Sequence, residues 1–457
     1  MLRVTNPFDL SPVVELPHDA GPALEKKVQS ARDAFLKWRR VPLEERMRVV
    51  AGGIARFRAA KEEIARDVTR QMGKPIAEAR REVDTCCARA EYMLSIAKET
   101  LAPDVLPAAE NFHLRIEHEP LGVVFNLAAW NYPLLIPVNV IAPALLAGNT
   151  VLLKHSARTP LCGAHFEHAF TPKELPGLVT SLVLSHEETA RLIADPRIDH
   201  VAFTGSVEGG REVYREAAKR FIDAGLELGG KDPAYVSPDA DIEFAAENVV
   251  DGACYNAGQS CCAVERVYVH RSLYEEFLRR ARAILERYVL GDPMNEATTM
   301  GPLAGAGALD TCQKHVDDAV QRGARLLLGG KRRAGTNGNF FEPTLLADVP
   351  NDALVMQEET FGPLVPVAQV ASDEEALVRM NDSRYGLTAS VWTGSPERAE
   401  RFARDLEAGT IYQNRCDYLD PKLAWTGYKE SGKGCTLSKY GFFHLTKRKS
   451  VHFRVKT

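Results

Sequence analysis

The feature that most constrains this chain is a long uncharged stretch. From Leu121 to Leu153 it has no charged residue and no histidine, and about 20 apolar residues are enough to span a bilayer. The stretch divides, however, into a β-rich segment over Gly122–Ala128, a helix over Pro133–Ala147 closed by Gly148, and a short strand over Thr150–Leu153. The pattern therefore predicts a β-α-β unit whose sheet is covered on both faces, not a membrane span.

The rest of the chain alternates between helical and strand periodicity. Helices are predicted over Ala23–Arg40, Leu43–Met72 and Pro75–Leu101, from a capping box at Ser272 and Glu275 to Tyr288, and after Ser372 and Ser395. Strands are predicted over Asn111–Glu119, Leu178–Leu184, His200–Thr204, Leu364–Val370, Leu387–Trp392 and Thr410–Gln413, and Leu226–Leu228 is predicted to end a further strand. Lys449–Val455 also alternates. Two rounds of this alternation predict two doubly wound α/β domains.

Composition excludes several classes of protein. The 457 residues are 26% charged with a net charge of −4, so neither nucleic acid nor an anionic membrane is an expected partner. Nine scattered cysteines are an odd number and indicate a reducing compartment rather than a disulfide framework. The N-terminus has no apolar segment, so no signal peptide and a cytoplasmic location are expected. No metal site is predicted.

Three short segments contain chemically competent residues, and each also has a structural interpretation. The turn Gly205–Gly210 follows a strand and opens a helix, which suits phosphate binding but is equally typical of a plain turn. Glu227 lies among apolar neighbours at the end of a strand. It is consistent with a general base and equally with an acidic residue on the surface. Cys261 follows a turn of small residues, which suits a thiolate nucleophile. Taken alone, however, both Cys261 and Cys262 are better interpreted as small buried apolar residues.

Five motifs in a fixed order change this balance. They are Trp130–Pro133, Phe203–Ser206, Glu227–Lys231, Gly258–Cys261 and Glu359–Pro363. Their order and spacing resemble the aldehyde dehydrogenase superfamily over nearly the whole chain. The resemblance implies oxidation of an aldehyde to a carboxylic acid with NAD or NADP, through a cysteine thiohemiacetal, hydride transfer and thioester hydrolysis.

The resemblance also assigns roles to residues. It implies that Cys261 is the nucleophile, that Glu227 is the general base, and that Asn131 forms the oxyanion hole with the Cys261 backbone N–H. The implied cofactor-binding residues are Trp130, Lys154, Ala157, Gly205, Ser206, Gly210, Leu228, Glu359 and Phe361. The implied substrate pocket consists of Tyr132, Asn139, Tyr255, Leu419 and Trp425.

A domain arrangement follows from the same resemblance. The implied fold is α/β, with two doubly wound Rossmann-like α/β domains, one for the cofactor and one for catalysis, and a small β oligomerisation arm. The cofactor domain is expected over residues 1–105 and 122–228, and the catalytic domain over 229–440. The arm is expected over 106–121 and 441–457, joining subunits into a homodimer or homotetramer.

Departures from the family pattern bear on specificity. Ala157 stands where the family has a glutamate that repels the 2′-phosphate of NADP, so both cofactors are expected to work. Lys154 and Arg158 offer positive charge nearby, although Arg158 is equally consistent with a side chain that points to solvent. In the pocket loop, Arg415 and Asp417 either contact a polar substrate or pair with each other, and pairing is favoured.

Three other functions compete with this hypothesis. An acylating enzyme would pass the thioester to coenzyme A, but Glu227 favours water as the acceptor. A cysteine thioesterase or hydrolase would leave the nucleotide turn without a role. A non-catalytic relative would not need Cys261, Glu227 and Asn131 together.

Overall fold

The computed structural model describes residues 1–455 as a mixed α/β protein. Its helices are α1 (Gly21–Trp38), α2 (Leu43–Ala59), α3 (Lys61–Met72), α4 (Ile76–Thr100), α5 (Leu135–Ala147), α6 (Pro160–Phe170), α7 (His186–Ile193), α8 (Val207–Ala218), α9 (Ile242–Cys254), α10 (Tyr274–Leu285), α11 (Ala306–Gln321), α12 (Leu354–Gln357), α13 (Asp373–Asn381), α14 (Pro396–Asp405) and α15 (Ser438–His444).

The strands of residues 1–455 form several sheets. They are β1 (Leu2–Thr5), β2 (Pro12–Leu16), β3 (Asp104–Leu106), β4 (Phe112–Pro120), β5 (Val123–Ala128), β6 (Thr150–His155), β7 (Val179–Leu182), β8 (His200–Thr204), β9 (Asp223–Glu227), β10 (Asp232–Val236), β11 (Val264–His270), β12 (Arg325–Leu328), β13 (Thr344–Ala347), β14 (Leu364–Val370), β15 (Tyr385–Gly386), β16 (Thr388–Trp392), β17 (Thr410–Gln413), β18 (Tyr428–Lys429), β19 (Gly432–Lys433) and β20 (Thr446–Arg454).

The uncharged stretch forms the centre of the first sheet, whose strand order is β19-β9-β8-β5-β6-β7. Every residue of β5 is buried, and α5 is buried from Ile136 onward, which explains why this segment has no polar face. Gly148 ends α5 in the left-handed region at φ 97°. The predicted β-α-β unit is therefore confirmed.

The topology of this sheet creates a crevice. From β5 the chain moves to one side through β6 and β7, and then to the other side through β8 and β9. The parallel strands β5 and β8 are neighbours, and a crevice is expected at their carboxyl ends, where the strand order reverses. The edge strand β19, from much later in the chain, pairs antiparallel with β9.

The second sheet has the order β12-β13-β14-β11-β10-β16-β17 and is parallel except at its edge strand β12. Its core packs buried aromatic and branched side chains between sheet and helices, as where Tyr235 of β10 stacks on Phe402 of α14 with ring centroids 5.3 Å apart. The two doubly wound α/β sheets expected from the sequence are both present.

A separate three-stranded sheet, of order β20-β4-β3, lies in the part of the chain where the arm was expected. The strand β20 pairs antiparallel along the whole of β4, and β3 pairs with the other edge of β4. The arm was expected to extend to residue 457, and Lys456 and Thr457 lie outside the described residues.

Two local predictions were wrong. The single helix expected over Leu43–Met72 is two helices, because the backbone at Ala60 turns to φ −88° and ψ 13°, and the apolar pattern continues across that break. The capping box at Ser272 does not form, because the Ser272 hydroxyl is hydrogen-bonded to the His270 ring at 2.7 Å. By contrast, Ser372 and Ser395 cap α13 and α14 as predicted.

Candidate active site

A strained turn delivers Cys261 to the site. Asn256 and Ala257 have φ values of 52° and 56°, a left-handed conformation that costs energy for residues other than glycine. A Cβ on Gly258 would lie 2.2 Å from the Gly362 carbonyl oxygen, so only glycine fits there. The Asn256 amide donates to the Gln259 carbonyl at 3.1 Å and holds the turn closed.

The Cys261 thiol opens into a cavity of about 820 Å³. Cys261 is partly exposed, whereas Cys262 is buried at 2% exposure. All five residues expected to form the substrate pocket line this cavity: Tyr132, Asn139, Tyr255, Leu419 and Trp425. Glu227 lines the same cavity, so the structure brings the two principal candidate catalytic side chains to one space.

Two threonine hydroxyls fix the Glu227 carboxylate. Thr204 donates to Glu227 Oε2 at 3.1 Å, and Thr436 donates to Oε1. Burial raises the pKa of Glu227, while the two hydroxyls and the charge of Arg89 oppose that rise. A carboxylate with a raised pKa is a better proton acceptor, which suits a general base.

Asn131 is held by its backbone. Its carbonyl accepts from the Lys74 ammonium and from the Asn256 amide, each at 3.0 Å. Lys74 is itself paired with Glu82 in the interior. The buried side-chain amide of Asn131 makes no hydrogen bond with any of residues 1–455, so its donors are available, although Asn131 lies outside the lining of the 820 Å³ cavity.

The crevice in the first sheet contains the predicted helix start. Ser206 caps α8 by accepting from the Gly209 N–H at 3.1 Å, directly after Gly205. A Cβ on Gly210 would lie 2.5 Å from a methyl group of Leu228. Glycine at this position therefore lets α8 pack closely on the sheet, with its N-terminus open to an anion.

Glu359 lies in the loop between α12 and β14 and contacts the segment that follows β9. Its carboxylate accepts from the Gly230 N–H at 3.0 Å, and a Cβ on Gly229 would lie 2.6 Å from it. Burial raises the pKa of Glu359 to about 8. Phe361 adopts a φ of 56° and meets the Trp130 ring edge-on at 5.6 Å between centroids.

A buried ion pair supports this loop. Glu265 accepts from the backbone N–H groups of Thr360 at 2.8 Å and Phe361 at 3.0 Å, and it pairs with Lys231. Both charged side chains are at most 5% exposed. The pair therefore sets the strained backbone that presents Phe361.

The far end of the crevice contains an unpaired cation. Lys154 is the last residue but one of β6, and its ammonium has no hydrogen-bond or ion-pair partner among residues 1–455, while burial lowers its pKa. Ala157 is exposed. Arg158 is exposed as well, and its guanidinium donates to the Ala304 carbonyl at 2.7 Å and lies over the Trp130 ring.

The pairing expected between Arg415 and Asp417 was wrong. The Arg415 guanidinium lies 3.5 Å from the centroid of the Tyr418 ring. Asp417, at a φ of 44°, instead accepts from Ser260 at 2.7 Å and from the Cys262 thiol at 3.0 Å. The left-handed backbone turns the Asp417 carboxylate toward Ser260 and Cys262, where burial raises its pKa to about 6.

Sequence reasoning missed several residues of the site. Thr436 is 209 positions from Glu227 in the chain, and Arg89 lies on a helix that the apolar pattern marked only as amphipathic. Neither carries a local motif. Thr204 lies within the Phe203–Ser206 motif, where the register of β8 with β9 sets it beside Glu227.

Similarity to known proteins identifies the chain. The family model described as "Aldehyde dehydrogenase family" matches residues 1–451. The chain belongs to the aldehyde dehydrogenase family. It is 35% identical to an aldehyde dehydrogenase of Paenarthrobacter nicotinovorans over 94% of each chain, and 33% identical to an NADP-dependent succinate-semialdehyde dehydrogenase of Deinococcus radiodurans over 98% of this chain and 93% of that one.

Solved structures agree with this assignment. The succinic semialdehyde dehydrogenase of Streptococcus pyogenes in complex with NADP+ superposes with a TM-score of 0.95 at 29% identity, covering 99% of this chain and 100% of that one. As an aldehyde dehydrogenase, the protein is an oxidoreductase that converts an aldehyde to a carboxylic acid with NAD(P)+. The alternative of a cysteine hydrolase was therefore wrong.

No helix among residues 1–455 is long and apolar enough to cross a bilayer. No group of three or more His, Cys, Asp or Glu side chains there is arranged to hold a metal ion.

Proposed function

We propose that Cys261 is the nucleophile of this aldehyde dehydrogenase and that Glu227 is its general base. The observation that carries the proposal is that both side chains line one cavity of about 820 Å³, with the Cys261 thiol partly exposed there. A thiolate attacks an aldehyde carbonyl directly, and the adduct is a thiohemiacetal. The cavity is within the size range of small-molecule sites.

Asn131 would stabilise the oxyanion of that adduct together with the Cys261 backbone N–H. Its side-chain amide has no partner among the described residues, and its backbone is held by Lys74 and Asn256. A rigid donor that is already free of competing bonds needs no rearrangement in the transition state, and one such donor is worth about 3–4 kcal/mol in a comparable site.

Hydrolysis would follow at Glu227. When bound, NAD(P)+ takes up the hydride of the thiohemiacetal. Glu227 then removes a proton from a water molecule, and the resulting hydroxide attacks the thioester carbonyl and releases the acid and the Cys261 thiolate. Because a resident base activates water, we propose water rather than coenzyme A as the acyl acceptor.

The crevice residues fit a nicotinamide dinucleotide. The unpartnered Lys154 ammonium would donate to the adenosine ribose, and the open N-terminus of α8 at Gly205 and Ser206 would lie beside the pyrophosphate. Glu359 would accept from the nicotinamide ribose, and Phe361 would pack against the nicotinamide. Since Ala157 carries no charge, we propose that NAD and NADP are both used.

We also propose an assembly, a domain division and a location. The cofactor domain would comprise residues 1–105 and 122–228, and the catalytic domain residues 229–440. The arm of residues 106–121 and 441–457 would join subunits into a homodimer or homotetramer, because an isolated ribbon of few strands is marginal in water. All nine cysteines are free, which supports the cytoplasm as the compartment.

The direct test is a panel of aldehydes assayed with NAD and with NADP. The proposal predicts formation of reduced nicotinamide and an equal amount of carboxylic acid without coenzyme A. Turnover that requires coenzyme A would overturn the hydrolytic step. Light scattering on the purified protein measures the assembly separately.

A further inference from the structure

Arg89 is a buried cation without an anionic partner. It lies on α4, is only 6% exposed and lines the cavity that contains Cys261 and Glu227. Its Nε atom has no hydrogen-bond partner among the described residues, and its one hydrogen bond runs from Nη1 to Asn139 Oδ1 at a long 3.3 Å. A guanidinium has five N–H donors, so most of its bonding capacity is unused.

Asn139 extends this set of donors. Its Oδ1 atom accepts from Arg89, which leaves the Nδ2 donor of the same amide, and none of residues 1–455 accepts from it. Asn139 is 3% exposed and lines the same cavity. The two side chains therefore form one patch that offers donors and a positive charge.

Three of the acidic groups that line the cavity are bonded to other side chains. Their partners are Lys74 for Glu82, Thr204 and Thr436 for Glu227, and Ser260 and Cys262 for Asp417. No carboxylate of the described chain lies within ion-pair distance of Arg89. A buried charge without a partner raises the free energy of the folded protein. A bound anion that pairs with Arg89 would lower it.

We infer that Arg89 and Asn139 form a subsite for the carboxylate of the substrate, so that the preferred aldehydes are semialdehydes of short dicarboxylic acids. This inference rests on the proposed function, since it places the second functional group of the aldehyde that Cys261 attacks. A planar guanidinium matches the two oxygens of a carboxylate, and such charge-assisted bonds are about twice as strong as neutral ones. The subsite discriminates against uncharged aldehydes because these leave Arg89 unpaired.

Arg89 also acts on the candidate base. Its charge opposes the raised pKa of Glu227, so a variant could lose activity through the base alone. That effect would act on every aldehyde equally, because hydrolysis of the thioester does not depend on the far end of the substrate. Comparison of a charged aldehyde with its neutral counterpart separates the two roles.

The kinetic test compares kcat/KM for malonate, succinate and glutarate semialdehydes with kcat/KM for the methyl ester of each. The wild type should prefer at least one free acid over its ester by about tenfold or more. Arg89→Met should lower kcat/KM for that acid by about 10- to 100-fold more than it lowers kcat/KM for the ester. Arg89→Lys should recover part of the preference. Arg80→Met, on the same helix but paired with Glu62 outside the cavity, is the matched control.

A binding measurement separates this inference from the proposed function. Titration calorimetry with malonate, succinate and glutarate requires no chemistry at Cys261. Binding of one of them to the wild type and to Arg80→Met, with loss in Arg89→Met, supports the subsite even if no aldehyde is turned over. Turnover of aldehydes without preference for the free acid, equal losses for acid and ester, or preference for a hydroxyaldehyde over the acids would overturn the inference and leave the proposed function intact.

Discussion

The Thr436 hydroxyl donates a hydrogen bond to the Glu227 carboxylate across 209 positions of sequence. It comes from the segment after β19, the strand that adds residues 432–433 to the edge of the first sheet beside β9. The candidate base is therefore held by two distant parts of the chain, since Thr204 donates from the neighbouring strand β8. This arrangement controls how readily Glu227 accepts a proton.

The first prediction concerns pH. Glu227 must be ionised to act, so kcat should fall as the pH is lowered through its pKa, which burial raises. The Thr436 hydroxyl stabilises the ionised form, so Thr436→Val should raise that pKa further and move the acid limb of the kcat profile to higher pH. Thr436→Ser keeps the hydroxyl and should leave the limb in place. If the acid limb of the kcat profile does not move in Thr436→Val, the hydrogen bond from Thr436 does not control the pKa of Glu227.

The second prediction concerns the ion pair beneath Phe361. Glu265→Gln leaves the Lys231 charge buried without its partner and should lower the free energy of unfolding by about 3–5 kcal/mol. Because Glu265 also holds the backbone of Thr360 and Phe361, the KM for the cofactor should rise. Urea unfolding and cofactor titration measure both effects. Glu91→Gln breaks an exposed pair with Arg58 and should cost less than about 1 kcal/mol, so equal costs would contradict the account.

The third prediction concerns cofactor choice. Wild-type protein should turn over NAD and NADP, because no carboxylate stands at Ala157. Ala157→Glu should lower kcat/KM for NADP by about tenfold or more through repulsion of the 2′-phosphate, and change NAD little. Ala157→Gln, of similar size and without charge, is the control. Wild-type protein confined to NAD would show that another residue sets the preference.

The fourth prediction separates the two adjacent cysteines. Cys261→Ala should abolish formation of reduced nicotinamide while the protein stays folded and binds the cofactor. Cys262→Ala should keep most activity, because Ser260 still donates to Asp417 when the Cys262 thiol is removed. Activity assays, circular dichroism and cofactor titration on both variants measure this. An essential Cys262 beside a dispensable Cys261 would reverse the assignment.

The sequence predicted those parts of the molecule that local patterns encode. The uncharged stretch has to be buried on all sides, so β5, α5 and β6 could be predicted from it. Ser372 and Ser395 were readable as caps because a cap needs only the next three residues. The spacing of the motifs around Cys261, Glu227 and Glu359 was likewise sufficient to indicate the family.

The parts of the molecule that depend on contacts between distant residues could not be predicted from the sequence. The hydroxyl of Thr436 reaches Glu227 only because β19 joins the first sheet, and no local pattern marks that contact. Asp417 turns away from Arg415 because its backbone is left-handed. The residue at this position is not a glycine, so the sequence gives no sign of that conformation. Helical periodicity places Arg89 only on one face of α4. That its guanidinium has no anionic partner becomes visible only in the folded structure.

The most direct measurement of the central claim is the acyl-enzyme of Glu227→Gln. Rapid mixing of this variant with an aldehyde and NAD(P)+ should give a burst of reduced nicotinamide equal to the enzyme, followed by slow turnover, because the thioester forms and is not hydrolysed. Mass spectrometry of acid-quenched protein should find the acyl group on Cys261. Glu358→Gln, an exposed neighbour of the site, should turn over without accumulation. Full steady turnover by Glu227→Gln, or an acyl group on a residue other than Cys261, would contradict the account.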